Sequence, residues 1–118
     1  MINMTELNLK TPTKFTRVLG SVPAIKILDF LIENRRDSWS MTEIAMQGGI
    51  AYPSVKHAMP ALIESGLIIS TRKVGRIPLY ALSNDSVAKK LIELHQLITL
   101  YSSTSKKIVL NEKVRVHA

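Results

Sequence analysis

The sequence has no cysteine among its 118 residues, which excludes disulfide scaffolds, zinc ribbons and thiol catalysis. No apolar run approaches the ~20 residues that a membrane span requires. The first residues also lack the basic and apolar regions of a secretory signal. We therefore expect a cytoplasmic protein without a membrane partner. Acidic residues are scarce, at 9 against 16 Lys+Arg, and the net charge of +7 favours a polyanionic partner.

The length and composition fit one folded domain with terminal extensions. With 46% hydrophobic and 21% charged residues, the chain has enough apolar material for a core. Residues 1–20 show little periodicity and are predicted to form a flexible N-terminal arm. Residues 21–85 are predicted to form the domain and residues 86–102 a C-terminal helix, while residues 103–118 stay unassigned.

Local signals predict three helices and then a hairpin. The first helix begins after Ser21 with a proline in its first turn, and a short second helix begins at a Ser-x-x-Glu capping box over residues 40–43. The third helix covers residues 52–66, and Pro60 in its interior predicts a kink. Two segments rich in β-branched residues, separated by Gly75, predict a two-stranded hairpin over residues 67–82. Trp39, before the capping box, is predicted to cover the core.

The second and third helices carry the spacing of a helix-turn-helix unit. Ala45 is the small residue where the two helices cross, and Gly49 occupies the turn between them. Val55 packs the second helix of the unit against the first. Followed by a basic hairpin, this pattern resembles the winged-helix transcription regulators of the MarR and ArsR type, in particular their small archaeal-type members. The resemblance covers about residues 22–101 and is carried by the segments MTEIAMQGGIAYPSVKHAM, LIESGLI and STRKVGRIPLYAL.

The resemblance implies an α+β fold, the winged helix-turn-helix, with a three-helix core, a two- to three-stranded β-hairpin wing and a C-terminal dimerisation helix. It implies that the third helix enters the major groove of double-stranded DNA. The outward side chains near the start of that helix are Tyr52, Ser54, Lys56 and His57, which can contact base edges or phosphates. An alternative is a solvated helix face of mixed polarity.

The hairpin tip is cationic. The wing residues predicted to bind DNA are Arg72, Lys73 and Arg76, which bracket Gly75 and could clamp phosphates or enter the minor groove. The alternative is a charged edge that prevents strand-to-strand aggregation.

The final helix, capped by Asn84 or Asp85, has two apolar faces. One is a stripe spaced 4, 3, 4, 3, namely Val87, Leu91, Leu94, Ile98 and Tyr101. The other holds Ile92, Leu97 and Leu100. We predict that the stripe forms a homodimer interface while the other face covers the domain's own core. Alternatively, one chain buries both faces with its terminal segments.

Nothing in the sequence predicts an enzyme. The three histidines, His57, His95 and His117, have no metal-binding spacing, and there is no carboxylate pair or phosphate-binding glycine loop. We expect no cofactor, no catalytic residue and no metal site, and no effector pocket is evident.

Three functions remain open on the sequence alone. The first is a dimeric, sequence-specific DNA-binding regulator, acting as a repressor by occlusion. The second is a DNA-coating, chromatin or plasmid-partition protein of low sequence preference, and the third is a winged helix that binds other proteins.

Overall fold

The computed structural model describes residues 12–104, so most of the expected N-terminal arm and nearly all of the unassigned tail lie outside the described part. Five helices and two strands follow one another as α1 (Lys14–Leu19), α2 (Pro23–Glu33), α3 (Met41–Gly48), α4 (Tyr52–Glu64), β1 (Ile68–Val74), β2 (Ile77–Leu82) and α5 (Ser86–Thr104). This order confirms the predicted α+β fold. Within the described range, none of these helices combines the length and apolar character needed to cross a bilayer.

The core is built around α2. Six successive residues of this helix, 27 to 32, are buried, because α1, α3, α4, α5 and β2 all contact it. Trp39 covers one end of this core, as predicted: its ring meets that of Phe30 edge to face at 5.3 Å. Its indole N–H donates to the carbonyl oxygen of Asn34 at 3.0 Å. The tryptophan is therefore engaged in packing.

The helix-turn-helix unit, α3 and α4, has the geometry that its local signals predict. Both bonds of the capping box are present: the Ser40 amide donates to Glu43 Oε1 at 2.9 Å, and the Glu43 amide donates to Ser40 Oγ at 3.1 Å. Gly49 ends α3 in the left-handed region at φ +69°, which glycine adopts at little cost. The Lys26 ammonium of α2 donates to the Gly49 carbonyl at 3.3 Å. These contacts set where α4 begins.

Helix α4 continues through Pro60, which is exposed, and ends at Glu64, two residues before the predicted end. Val55 and Met59 are fully buried on its inner face. Their burial fixes the rotation of α4 about its axis and therefore decides which side chains point outward.

The hairpin is antiparallel with a two-residue turn at Gly75-Arg76, where Gly75 has φ +63°. At its base Trp39 forms an isolated bridge to Tyr80, with two backbone hydrogen bonds of 2.8 and 2.7 Å, outside the two-stranded sheet. The ladder is irregular at Thr71, where a bulge shifts the register between Ser70 and Arg72. The wing therefore has a regular base and a tip beyond the bulge.

The prediction of a flexible arm over residues 1–20 is wrong for residues 14–19. These residues form α1, whose N-cap Thr13 accepts a hydrogen bond from the Thr16 amide at 3.2 Å. Phe15 is fully buried, and its ring lies 4.7 Å from that of His95. A helix of six residues that buries one aromatic ring has no repeating pattern, which is why periodicity did not reveal it.

A buried polar contact joins three of the helices. His95 Nε2 on α5 lies 2.9 Å from Asp29 Oδ1 on α2, and only 9% and 4% of their side chains are exposed. The Thr13 hydroxyl donates to the same carboxylate oxygen at 3.1 Å. Because a buried carboxylate is costly unless its hydrogen bonds are satisfied, this contact ties α1, α2 and α5 together.

Replacing His95 by alanine should lower the free energy of unfolding by about 3 kcal/mol, because it leaves the Asp29 carboxylate buried without its main partner. Urea denaturation measures this change. The matched control is Gln96→Ala on the exposed face of the same helix, which should unfold like the wild-type protein. Equal unfolding midpoints for the two variants would show that the contact does not hold the helices together.

Candidate nucleic-acid interface

The start of α4 presents polar side chains to solvent. The helix begins with a proline in its first turn, where a backbone N–H would have no hydrogen-bond partner within the helix. With Val55 inward, Tyr52, Lys56 and His57 are exposed, and Ser54 is half-buried. The outward orientation predicted for these four residues is therefore observed, whereas their contact with DNA stays a prediction.

A cleft of about 860 Å³ lies between the start of α4, the start of α3 and the wing. Its polar and aromatic lining residues include Glu43, Tyr52, Lys56, Arg72, Arg76 and Tyr80. The structure therefore brings two of the residues predicted on the third helix, Tyr52 and Lys56, to the same surface as Arg72 and Arg76 of the wing. We name this surface the wing cleft.

The bulge at Thr71 decides which wing cations face the cleft. Side chains alternate between the two faces of a strand, so a regular ladder would place Arg72 on the same face as Ser70. The observed register pairs Ser70 with Tyr80 but Arg72 with Leu79. Arg72 therefore shares the face of Leu79. In β1 only residues of this face, Arg72 and Val74, line the wing cleft, although Pro78 and Tyr80 of β2 border it as well.

The structure separates the remaining predicted residues from this group. Lys73 lies on the opposite face of β1 from Arg72 and, unlike its cross-strand partner Pro78, does not line the cleft. Ser54 and His57 border a different groove of about 390 Å³, on the flank of α4 that faces the start of α2. This second groove is mostly apolar, with Val22 and Pro23 among its lining residues.

The wing cleft is electrostatically suited to an anion. Among the described residues, none makes a hydrogen bond or ion pair with the side chains of Lys56, Arg72 or Arg76. The only carboxylate in the lining is Glu43, and its Oε1 accepts the capping-box hydrogen bond from the Ser40 amide. Three cations therefore face one carboxylate that is already hydrogen-bonded.

The apolar stripe predicted on the last helix is only partly outward. Leu91 and Ile98 pack against the core of the same chain, so the prediction that they face a partner is wrong for this position of the helix. Val87, Leu94 and Tyr101 of the predicted stripe are exposed, as is Leu97, which was expected on the inner face. Leu100, also expected inside, is 61% exposed.

The exposed residues form a regular pattern of their own. Val87, Leu94, Leu97 and Tyr101 are separated by seven, three and four residues, which is the spacing of a helix seam. The stripe is interrupted only by Lys90, which pairs with Glu93 at 3.3 Å on the surface. We name these four residues the α5 stripe.

The structure also brings together residues that the sequence did not connect. Ligand-type atoms of Asp29, Glu33 and His95 lie within 4.8 Å of one another, although 66 residues separate Asp29 from His95. The direct hydrogen bond between Asp29 and His95 already uses this proximity. No short-range motif could have revealed it, because the contact depends on how α5 packs on α2.

No known family model matches the sequence, and no curated protein matches it. Solved structures do resemble the fold. The homodimeric winged helix-turn-helix DNA-binding domain of a possible ArsR-family transcriptional regulator from Mycobacterium bovis is 20% identical, with a TM-score of 0.51 over 88% of this chain and 82% of that one. The DNA complex of MepR from Staphylococcus aureus is 17% identical, with a TM-score of 0.58 over 88% and 84% of the two chains.

A third similar structure, Rv0081 from Mycobacterium tuberculosis, is 19% identical, with a TM-score of 0.53 over 86% of this chain and 90% of that one. At these identities the likeness concerns the fold. It confirms that this chain has the winged helix-turn-helix fold that the sequence resemblance implied.

Proposed function

We propose that this protein is a dimeric regulator of transcription that binds double-stranded DNA at specific sequences and represses by occluding them. Helix α4 enters the major groove, and the wing contacts the backbone or the minor groove. The observation that carries the proposal is the wing cleft, where Lys56, Arg72 and Arg76 converge from two elements without a partner among the described residues.

The wing cleft suits the phosphate backbone. Lysine and arginine bind phosphates by releasing condensed counterions, and arginine can do so with two parallel hydrogen bonds. The Tyr52 hydroxyl, at the edge of the same cleft, supplies a further donor to a phosphate oxygen. The similar fold of MepR has been solved bound to DNA, which supports this use of the fold.

Sequence discrimination then falls to the exposed start of α4. The major groove is about 12 Å wide and admits an α-helix, whose first turns meet the base edges. Ser54 and His57 lie on the flank of α4 away from the wing cations. We assign them to base contacts, with Lys56 shared between a guanine edge and the backbone.

The α5 stripe supplies the dimer contact. Four large apolar side chains, each 41% to 62% exposed, are aligned along one face of a 19-residue helix. Burying them against the same stripe of a second copy gives a twofold interface. The similar M. bovis domain is described as homodimeric, which supports this assembly.

Capture of genomic fragments on the purified protein at near-physiological salt tests the proposal, with sequencing of the retained DNA. We expect a small set of fragments that share an inverted repeat, with half-sites about 10 base pairs apart. Broad retention without a pattern would instead indicate a DNA-coating protein, and no retention a protein-binding module. Placement of the captured sites over promoters would support repression by occlusion.

Replacing both Arg72 and Arg76 by alanine should weaken binding to all duplexes about equally and reduce the slope of log affinity against log salt by about two, because two phosphate contacts are lost. Fluorescence anisotropy over a salt series measures both quantities. Lys73→Ala is the matched control, since it removes the same type of charge from the opposite face of the hairpin. If the single variants Lys73→Ala and Arg72→Ala lost the same amount of DNA affinity, the net charge of the wing and not the wing cleft would explain binding.

Replacing Leu97 by glutamate should dissociate the dimer, because it buries a charge in the centre of the apolar interface. Sedimentation equilibrium should give twice the chain mass of 13.2 kDa for the wild-type protein and the chain mass for the variant. Gln96→Glu adds the same charge to an exposed position outside the α5 stripe and should remain dimeric. A dimeric Leu97→Glu variant would place the interface elsewhere.

A further inference from the structure

A pair of hydroxyl groups fastens the wing to the body of the domain at the bulge. The Thr71 hydroxyl donates to Ser38 Oγ at 2.7 Å and lies 3.4 Å from the carbonyl oxygen of Leu79. Ser38 precedes Trp39, whose backbone is bound to Tyr80 by two hydrogen bonds. Ser38 is therefore held by the base of the wing, and Thr71 is the extra residue of the bulge.

Apolar burial holds β2 through Leu79, Tyr80 and Leu82, but it does not fix the register of β1 in the outer wing. In β1 only Ile68 is buried, and the six residues that follow are exposed. A strand without a buried face specifies its pairing weakly, and a shift of one residue moves every side chain to the other face. A two-stranded ribbon is also only marginally stable by itself. The register of the outer wing is therefore left to the two-residue turn at Gly75-Arg76 and to the contacts at the bulge.

We propose that the Ser38–Thr71 hydroxyl pair positions Arg72 for DNA by holding the bulge in place. The proposal rests on the proposed function of the wing cleft. With the bulge, Arg72 pairs with Leu79 and faces the cleft. Without it, Thr71 would pair with Leu79, Arg72 would pair with Pro78, and Arg72 would turn to the opposite face.

The regular register would exchange the faces of the two cations. Lys73 would move onto the cleft face as Arg72 left it, but it would pair with Ile77 near the tip and not with Leu79. It would therefore not take the position of Arg72, and the phosphate contact of Arg72 would be lost. Arginine and lysine are not equivalent at a phosphate, because only the guanidinium offers a planar pair of parallel donors. The hydroxyl pair therefore acts through Arg72. Ser38 also lines the wing cleft, whereas Thr71 does not, so Thr71 is the residue that tests the indirect role.

Thr71→Val tests the proposal, because valine keeps the shape of threonine and removes the hydroxyl. Binding is measured by fluorescence anisotropy on a mixed-sequence duplex of about two helical turns over a salt series. We expect Thr71→Val and Ser38→Ala each to reduce the salt slope by about one, as Arg72→Ala does. When the salt rises from 50 to 200 mM, the loss of DNA affinity should therefore be about threefold smaller than for the wild-type protein. Thr71→Ser, which restores the hydroxyl, should behave like the wild-type protein.

The double variant Thr71→Val/Arg72→Ala separates positioning from a general loss of stability. If Thr71 acts through Arg72, the second substitution should add little to the first. Ser70→Ala removes a neighbouring hydroxyl from the same strand and should leave both the salt slope and the urea midpoint unchanged. Wild-type slopes for Thr71→Val, or additive losses in the double variant, would overturn the proposal.

Nuclear magnetic resonance gives a readout that does not depend on DNA. Cross-strand contacts between the backbones of Arg72 and Leu79 report the observed register. They should weaken in Thr71→Val and persist in Thr71→Ser and Ser70→Ala. If Thr71→Val kept them, the positioning role would be refuted. If they were lost as expected while the wild-type protein bound no duplex at any salt, only the DNA-binding function would be refuted.

Discussion

The hydrogen bond between Asp29 and His95 is the contact on which the arrangement of the helices depends. Both side chains are nearly inaccessible to solvent, and a buried carboxylate without a partner costs several kcal/mol. The helix that carries His95 must therefore turn this residue toward α2. That rotation places Leu91 and Ile98 against the core and leaves Leu94 and Leu97 outside. One polar contact inside the domain thus helps to decide which apolar residues of α5 remain exposed.

In the wing, a second hydrogen bond joins side chains that are distant in the sequence, Ser38 and Thr71. In its outer part β1 buries no side chain, so the position of this strand depends on hydrogen bonds, on the turn and on one inserted residue. A bulge is often used to redirect a side chain, and here it places Arg72 on the face of Leu79. In the proposed role of Thr71, an uncharged side chain sets the position of a charged one.

The parts of the structure that could be predicted from sequence are those with a local cause. The capping box at Ser40, the left-handed turn at Gly49 and the buried Val55 each act within a few residues, and the helix-turn-helix unit formed as predicted. Helix α1 escaped prediction because it buries only Phe15 and Thr16, which are too few to form a repeating pattern. On α5, two apolar stripes fit the helical period almost equally, and the choice between them rests on a contact 66 residues away. Alternation along β1 likewise gives no sign of the bulge.

Charged residues serve the fold at some positions and face solvent at others. Hydrogen bonds inside the fold are made by Lys26, Arg35, Glu43, Asp29 and His95, whereas no described residue pairs with the side chains of Lys56, Arg72 and Arg76 in the wing cleft. Phosphate contacts by such cations give affinity without sequence information. The side chains left to read bases on α4 are few, and each base pair contributes only about 1–3 kcal/mol of discrimination. A single domain of this design would therefore bind DNA with modest specificity. Doubling the base contacts through the α5 stripe is the most direct way to obtain more, so the proposed function requires the proposed dimer.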